Sequence, residues 1–167
     1  FEITVAAATA LGAAKLWMRF PGGIVAGVVG DRVGNPLLMV WLFLLSMLAC
    51  LYLALMPTTP GWAWTLWVFV FPFALLAYGL RGVFWALLHN CPVPTRVLGT
   101  AIGVVSIVGY SPDAYVPQVA AWLHTHYDTK TAYQGFFAYV AAVAGIGMLA
   151  SWLLYRLTRQ QGVPEST

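Results

Sequence analysis

Five apolar runs, each about as long as a helix needs to cross a bilayer, constrain this chain more than any single residue does. They lie at about 6–29, 37–56, 62–88, 97–122 and 133–156, and roughly 20 apolar residues in a helix span the hydrocarbon core. A helix satisfies its own backbone in lipid, so the expected fold class is all-α, an integral membrane helical bundle of five transmembrane helices. Composition closes off the soluble alternative. Hydrophobic residues make up 61% of the chain and charged ones 8%, with mean hydropathy +0.81, which leaves too little polar surface to cover a globule of this size. The partner is therefore the lipid bilayer. Eight basic residues against five acidic is an excess that belongs in cytoplasmic loops and gives no sign of nucleic-acid binding.

Two of the runs carry charge. The first holds Lys15 and Arg19 and is interrupted by Pro21-Gly22-Gly23. Insertion of such a base costs about 2.5 to 3.5 kcal/mol, and positions i and i+4 share a helix face, so both bases are expected to point into one aqueous cavity. Snorkelling to an interface is the competing account. The fourth run holds Asp113 beside Pro112, and a mid-membrane carboxylate is a functional-site hypothesis by default. Lys15 and Asp113 lie at similar depth from the outer face, so they are expected to pair, leaving Arg19 one turn further inward to meet an anion. Arg81, near the end of the third run, fits either a structural pairing or a substrate role.

The remaining polar groups carry less. The second run is uniformly apolar and reads as a lipid-facing support helix, and Trp62, Trp64 and Trp67 read as an interfacial aromatic belt. His89 with Cys91, and His124-x-His126-x-Asp128, have ligand-like spacing but read as solvated connectors. Cys50 and Cys91 imply neither a disulfide nor a metal motif, so no metal and no cofactor are expected. The chain opens on Phe1 without a basic n-region or cleavage site, so it reads as lacking a signal peptide and as a piece of a longer protein. Residues 1–157 read as one transmembrane portion and 158–167 as a disordered tail.

Between the first two runs lies Gly27-Val28-Val29-Gly30-Asp31-Arg32-Val33-Gly34-Asn35-Pro36, a charged, glycine-rich turn suited to joining antiparallel helices. It resembles the G-x-x-x-D-R-x-G-R-K loop of the major facilitator superfamily, with Gly27, Asp31, Arg32 and Gly34 in register and Asn35 and Pro36 in place of the bases. That departure looks like the superfamily's degenerate second copy, between the eighth and ninth helices. Gly99-Thr100-Ala101-Ile102-Gly103 and Gly109-Tyr110-Ser111-Pro112-Asp113 resemble the eleventh helix of its nitrate/nitrite-porter-like members. The resemblance implies that the five runs are helices eight to twelve of an incomplete fold whose N-terminal half is missing. It further implies alternating access around a midplane site, proton symport, and a gating role for Gly27, Asp31, Arg32 and Gly34.

Counting connector bases puts Arg32, Arg96, Arg156 and Arg159 on one side and Lys130 on the other, so the first side and the C-terminus are expected to be cytoplasmic. The function read from all this is secondary active transport of a small anionic solute across a bacterial inner membrane, with no enzymatic activity. Lys15, Arg19, Tyr110 and Asp113 form the expected substrate site, and Asp113 carries the coupling proton. A membrane-embedded enzyme using Asp113 and the loop histidines, and a structural or regulatory membrane subunit, stand as alternatives.

Overall fold

The computed structural model describes residues 5–56, 63–89 and 94–160, and among them it is helical throughout, without a strand. The helices are α1 (Val5–Trp17), α2 (Arg19–Val33), α3 (Asn35–Leu55), α4 (Ala63–His89), α5 (Leu98–His126) and α6 (Thr129–Gln160), with a 3-10 turn at Thr95–Val97 leading into α5.

Contacts between named residues fix how the helices run. Tyr52 of α3 stacks on Phe69 of α4, and Leu42 of α3 reaches Gly79 of α4, so these two are antiparallel. Arg81 pairs with Asp113 while Trp85 approaches Tyr110, so α4 and α5 are antiparallel as well. Phe43 against Gly147 and Met47 against Gly145 make α3 and α6 antiparallel too. Helix α2 runs parallel to α4, Gly22 meeting Leu75 and Tyr78 while Ala26 meets Gly79. The result from α2 to α6 is an up-and-down bundle. Arg32, Arg96, Arg156 and Arg159 gather at one end of it, as the connector count expected, and Lys130 lies at the other.

Small residues set the closest approach. A Cβ on Gly22 would come within 3.1 Å of the Leu75 carbonyl oxygen and the Tyr78 Cβ, so α2 and α4 touch backbone to backbone, as small-residue faces permit in membranes. Ala26, Leu38, Leu42, Val83 and Leu87 form the buried cluster where α2, α3 and α4 meet.

The expected single span at 6–29 is not one helix. Pro21 has no N–H for the Trp17 carbonyl and its ring crowds that position, so the helix breaks at Met18, whose N–H donates to the Lys15 carbonyl at 3.1 Å. Pro21 then falls in the first turn of α2, where it is tolerated. Of the five expected spans, two are seen on length and composition among the described residues: Asn35–Leu55 and Thr129–Arg159 are long and apolar enough to cross a membrane, and Phe71–Leu87 is an apolar stretch within the longer α4. The break shortens the first run, and glycine, serine, proline and Asp113 dilute the fourth. The tail expected to be disordered from 158 is helical to Gln160. There the Thr158 hydroxyl donates back to the Leu154 and Tyr155 carbonyls, and residues 161–167 lie outside the described residues.

Candidate functional site

Arg81 and Asp113 form the one ion pair among the described residues, with Asp113 far from either end of α5 and Arg81 about two turns inside the C-terminal end of α4. Nη2 of Arg81 donates to Oδ1 of Asp113 at 2.6 Å and to Oδ2 at 2.8 Å. Asp113 lies near the midpoint of the 29-residue α5, about 20 Å from either end at 1.5 Å per residue. The two side chains are 51% and 57% exposed on the surface of this chain. The antiparallel register of α4 and α5 creates the pair. Arg81 and Trp85, one turn apart on α4, face Tyr110 and Asp113, three residues apart on α5, and the guanidinium carbon lies 5.7 Å from the Tyr110 ring centroid. Gly109 leaves room for the Phe84 ring, which a Cβ there would meet at 3.2 Å, so the two helices meet here through long side chains rather than backbone to backbone. A guanidinium held between a carboxylate and an aromatic face can exchange its carboxylate for another anion without losing the ring.

This geometry corrects the expected Lys15–Asp113 pair, because Asp113 is bound to Arg81 instead. Lys15 and Arg19 belong to two helix segments rather than to one. Lys15 is in the last turn of α1 and Arg19 opens α2 beyond the break at Met18. Both are exposed, and neither has an ion-pair partner among the described residues. Arg19 remains near the pair in level: Gly23, one turn further along α2, approaches Gly82, the neighbour of Arg81.

The expected gating loop is mostly helix. Gly27, Asp31 and Arg32 belong to α2, and the turn into α3 is made by Gly34 alone, with φ 89° and ψ 130°. The Gly34 N–H donates to the Gly30 carbonyl at 2.9 Å, closing α2, and Pro36 in the first turn of α3 surrenders only an N–H that has no helical partner there. A Cβ on Gly27 would meet nothing within 4 Å, so that glycine answers no packing need in this chain. Asp31 is exposed in the last turn of α2, where the helix carbonyls disfavour an anion.

At the opposite end of the bundle, the H-x-H-x-D run is divided between two helices. His126 stacks on Trp122 with centroids 4.7 Å apart, and its Nδ1 lies 2.9 Å from the Trp122 carbonyl oxygen, to which an Nδ1–H would donate. Asp128 caps α6, its Oδ2 accepting from the Thr131 N–H at 3.2 Å, a bond that satisfies an orphan helix donor. Hydrogen bonds from the Thr131 side chain and then its backbone hold the Asp128 carboxyl below its usual value. The side chains of His89, Trp64 and Trp67, and all of Trp62 and Cys91, lie outside the described residues.

The sequence reading missed the Arg81–Asp113 pair because it measured depth from the outer face. The signal was present in the hairpin: Arg81 and Asp113 are equidistant from residue 97, at the 3-10 turn where α4 and α5 reverse.

Comparison with known proteins corrects the family expectation. No protein-family model matches the chain, and no solved structure matches it. A stretch of 83 residues, 49% of the chain, is 29% identical to Inner membrane protein YqcE of Escherichia coli (strain K12). That name denotes a location and no superfamily, so membership of the major facilitator superfamily, read from the runs at Gly27 to Gly34 and Gly99 to Asp113, is unsupported. The matched stretch spans only 19% of that relative's length.

Proposed function

We propose that this chain is part of a bacterial inner-membrane transporter that moves a small anionic solute by alternating access, with the Arg81–Asp113 pair as its solute and coupling site. The location follows from the apolar helices and from the similarity to an inner-membrane protein.

The observation that carries the reading is a half-exposed ion pair whose carboxylate lies at mid-helix. Charges at that depth face a bundle interior or water rather than acyl chains. The α4–α5 face therefore borders an aqueous cavity closed by protein beyond this chain. In the empty state Asp113 neutralises Arg81. An arriving anion takes the guanidinium, and a proton taken up by Asp113 removes the competing carboxylate, so proton and anion move together. Arg19, about one turn away along the bundle axis, adds attraction for the solute. The five runs all cross the membrane in this reading, and the end bearing Arg32, Arg96, Arg156 and Arg159 is cytoplasmic.

The test is flux into proteoliposomes containing the full-length protein, against a panel of small inorganic and organic anions with and without an inward proton gradient. At least one anion should accumulate, Arg81→Gln should abolish its uptake, and Asp113→Asn should retain anion exchange while losing gradient-driven accumulation. Uptake of no anion, or uptake that survives Arg81→Gln, contradicts the reading.

A further inference from the structure

Near its C-terminal end α6 carries two arginines held on aromatic rings. The Arg156 guanidinium carbon lies 3.8 Å from the Trp152 ring centroid, and that of Arg159 lies 5.9 Å from the Tyr155 centroid. Each pair is one helical turn apart, and positions 152, 155, 156 and 159 fall on one face. Together these four side chains line an open cleft of about 410 Å³. Neither arginine has a carboxylate partner among the described residues.

The position of the cleft says what the two cations meet. From Lys130 to Arg156 the helix rises about 39 Å at 1.5 Å per residue, which matches the roughly 40 to 45 Å between the outer limits of the two headgroup layers. With Lys130 in one headgroup layer, Arg156 and Arg159 lie in the other. Tryptophan and tyrosine are the rings that settle at that level. Below the arginines the exposed side chains of Leu153, Leu149 and Ile146 continue towards the hydrocarbon, at 55%, 56% and 68% exposure. A phosphate at the arginines and an acyl chain along this apolar track would occupy both parts at once.

We infer that the Trp152–Tyr155–Arg156–Arg159 cleft is a binding site for the phosphate headgroup of an anionic phospholipid, whose acyl chain lies along Leu153, Leu149 and Ile146. The occupant is a lipid rather than a free anion because the basic and apolar surfaces are continuous along one helix. The rings hold the guanidiniums by stacking, which lessens the side-chain entropy lost on binding. The site is separate from the Arg81–Asp113 pair and independent of the transport reading.

Native mass spectrometry of the detergent-purified protein, titrated with phosphatidylglycerol or phosphatidylcholine, tests this directly. The wild-type protein should retain phosphatidylglycerol preferentially, and Arg156→Gln with Arg159→Gln should weaken that retention by about fivefold for each guanidinium removed. Arg156→Lys with Arg159→Lys should fall between, since it keeps the charge and loses the planar stacking. Arg96→Gln, at the same end of the bundle, should leave the preference unchanged. All variants are exposed substitutions, and unchanged melting confirms that they fold. Wild-type retention by the double glutamine variant would overturn the assignment. So would an equal loss in Arg96→Gln, which would mean diffuse surface charge, or displacement of the lipid by millimolar inorganic phosphate, which would mean a site for free anions.

Discussion

Phe43 of α3 covers Gly147 of α6 so closely that a Cβ on the glycine would fall 2.5 to 2.8 Å from three carbons of the ring. This contact sets the spacing of the two helices that by length and composition can cross the membrane. Gly147→Ala must displace an aromatic ring packed between helices, at a cost of about 1 to 3 kcal/mol. Gly145→Ala meets only the Met47 sulfur, at 3.3 Å, and a flexible thioether yields more cheaply. Thermal unfolding in detergent should therefore rank Gly147→Ala well below Gly145→Ala, and equal melting would argue against this packing.

Gly34 and Gly27 offer a sharper contrast, since the sequence motif treats them alike. At φ 89° Gly34 occupies backbone space closed to side chains, so Gly34→Ala should cost about 1 to 3 kcal/mol. Gly27 is helical with open space around it, so Gly27→Ala should be neutral or gain up to about 1 kcal/mol of helix propensity. Unfolding measurements on the two variants would separate a turn made by one residue from a motif that needs both.

The Asp128 cap gives a pH dependence with a definite sign. Its folded carboxyl titrates below its ordinary value because the Thr131 hydrogen bonds favour the charged form. The cap therefore contributes stability that is fully present above the unfolded value, near 3.9, and is lost as pH falls through the lower folded value. As pH falls below about 4, melting of the wild type should decline more steeply than that of Asp128→Asn, whose amide oxygen still caps the helix without titrating. Parallel profiles would remove the cap from the account.

For the ion pair, Arg81→Ala strands Asp113 and Asp113→Ala strands Arg81, whereas the double substitution strands neither. The double variant should be more stable, or better inserted, than the sum of the single losses. Lys15→Ala with Asp113→Ala should instead be additive. Coupling of Asp113 to Lys15 rather than to Arg81 would reverse the pairing described here.

Much of the helical layout was legible in the sequence, because apolar length and the Gly34-Asn35-Pro36 turn report directly on helices and their reversals. The break at Met18 was less so: Pro21 announced a disruption, but its effect falls four residues earlier, on the Trp17 carbonyl, and it divides Lys15 from Arg19 between two helices. The site was half legible. Asp113 and Tyr110 stand out by depth and by neighbourhood, while the role of Arg81 does not, because partner choice depends on the register between α4 and α5. Likeness to short motifs misled most. Gly27, Asp31 and Arg32 match a loop signature, yet they lie on a helix, and comparison with known families does not support the membership they implied.

The central claim is that the Arg81–Asp113 pair faces water at mid-membrane, and the accessibility of Ala114, the exposed neighbour of Asp113, tests it most directly. Ala114→Cys, with Cys50 and Cys91 replaced, would be treated in membranes with a charged, water-soluble thiol reagent, and Leu48→Cys, on the exposed apolar face of α3, would serve as the lipid-facing control. The expected result is rapid modification at 114, slowed by a transported anion, and none at 48. Equal inertness at both positions would mean that the pair is buried or lipid-facing, and would contradict an aqueous solute site between α4 and α5.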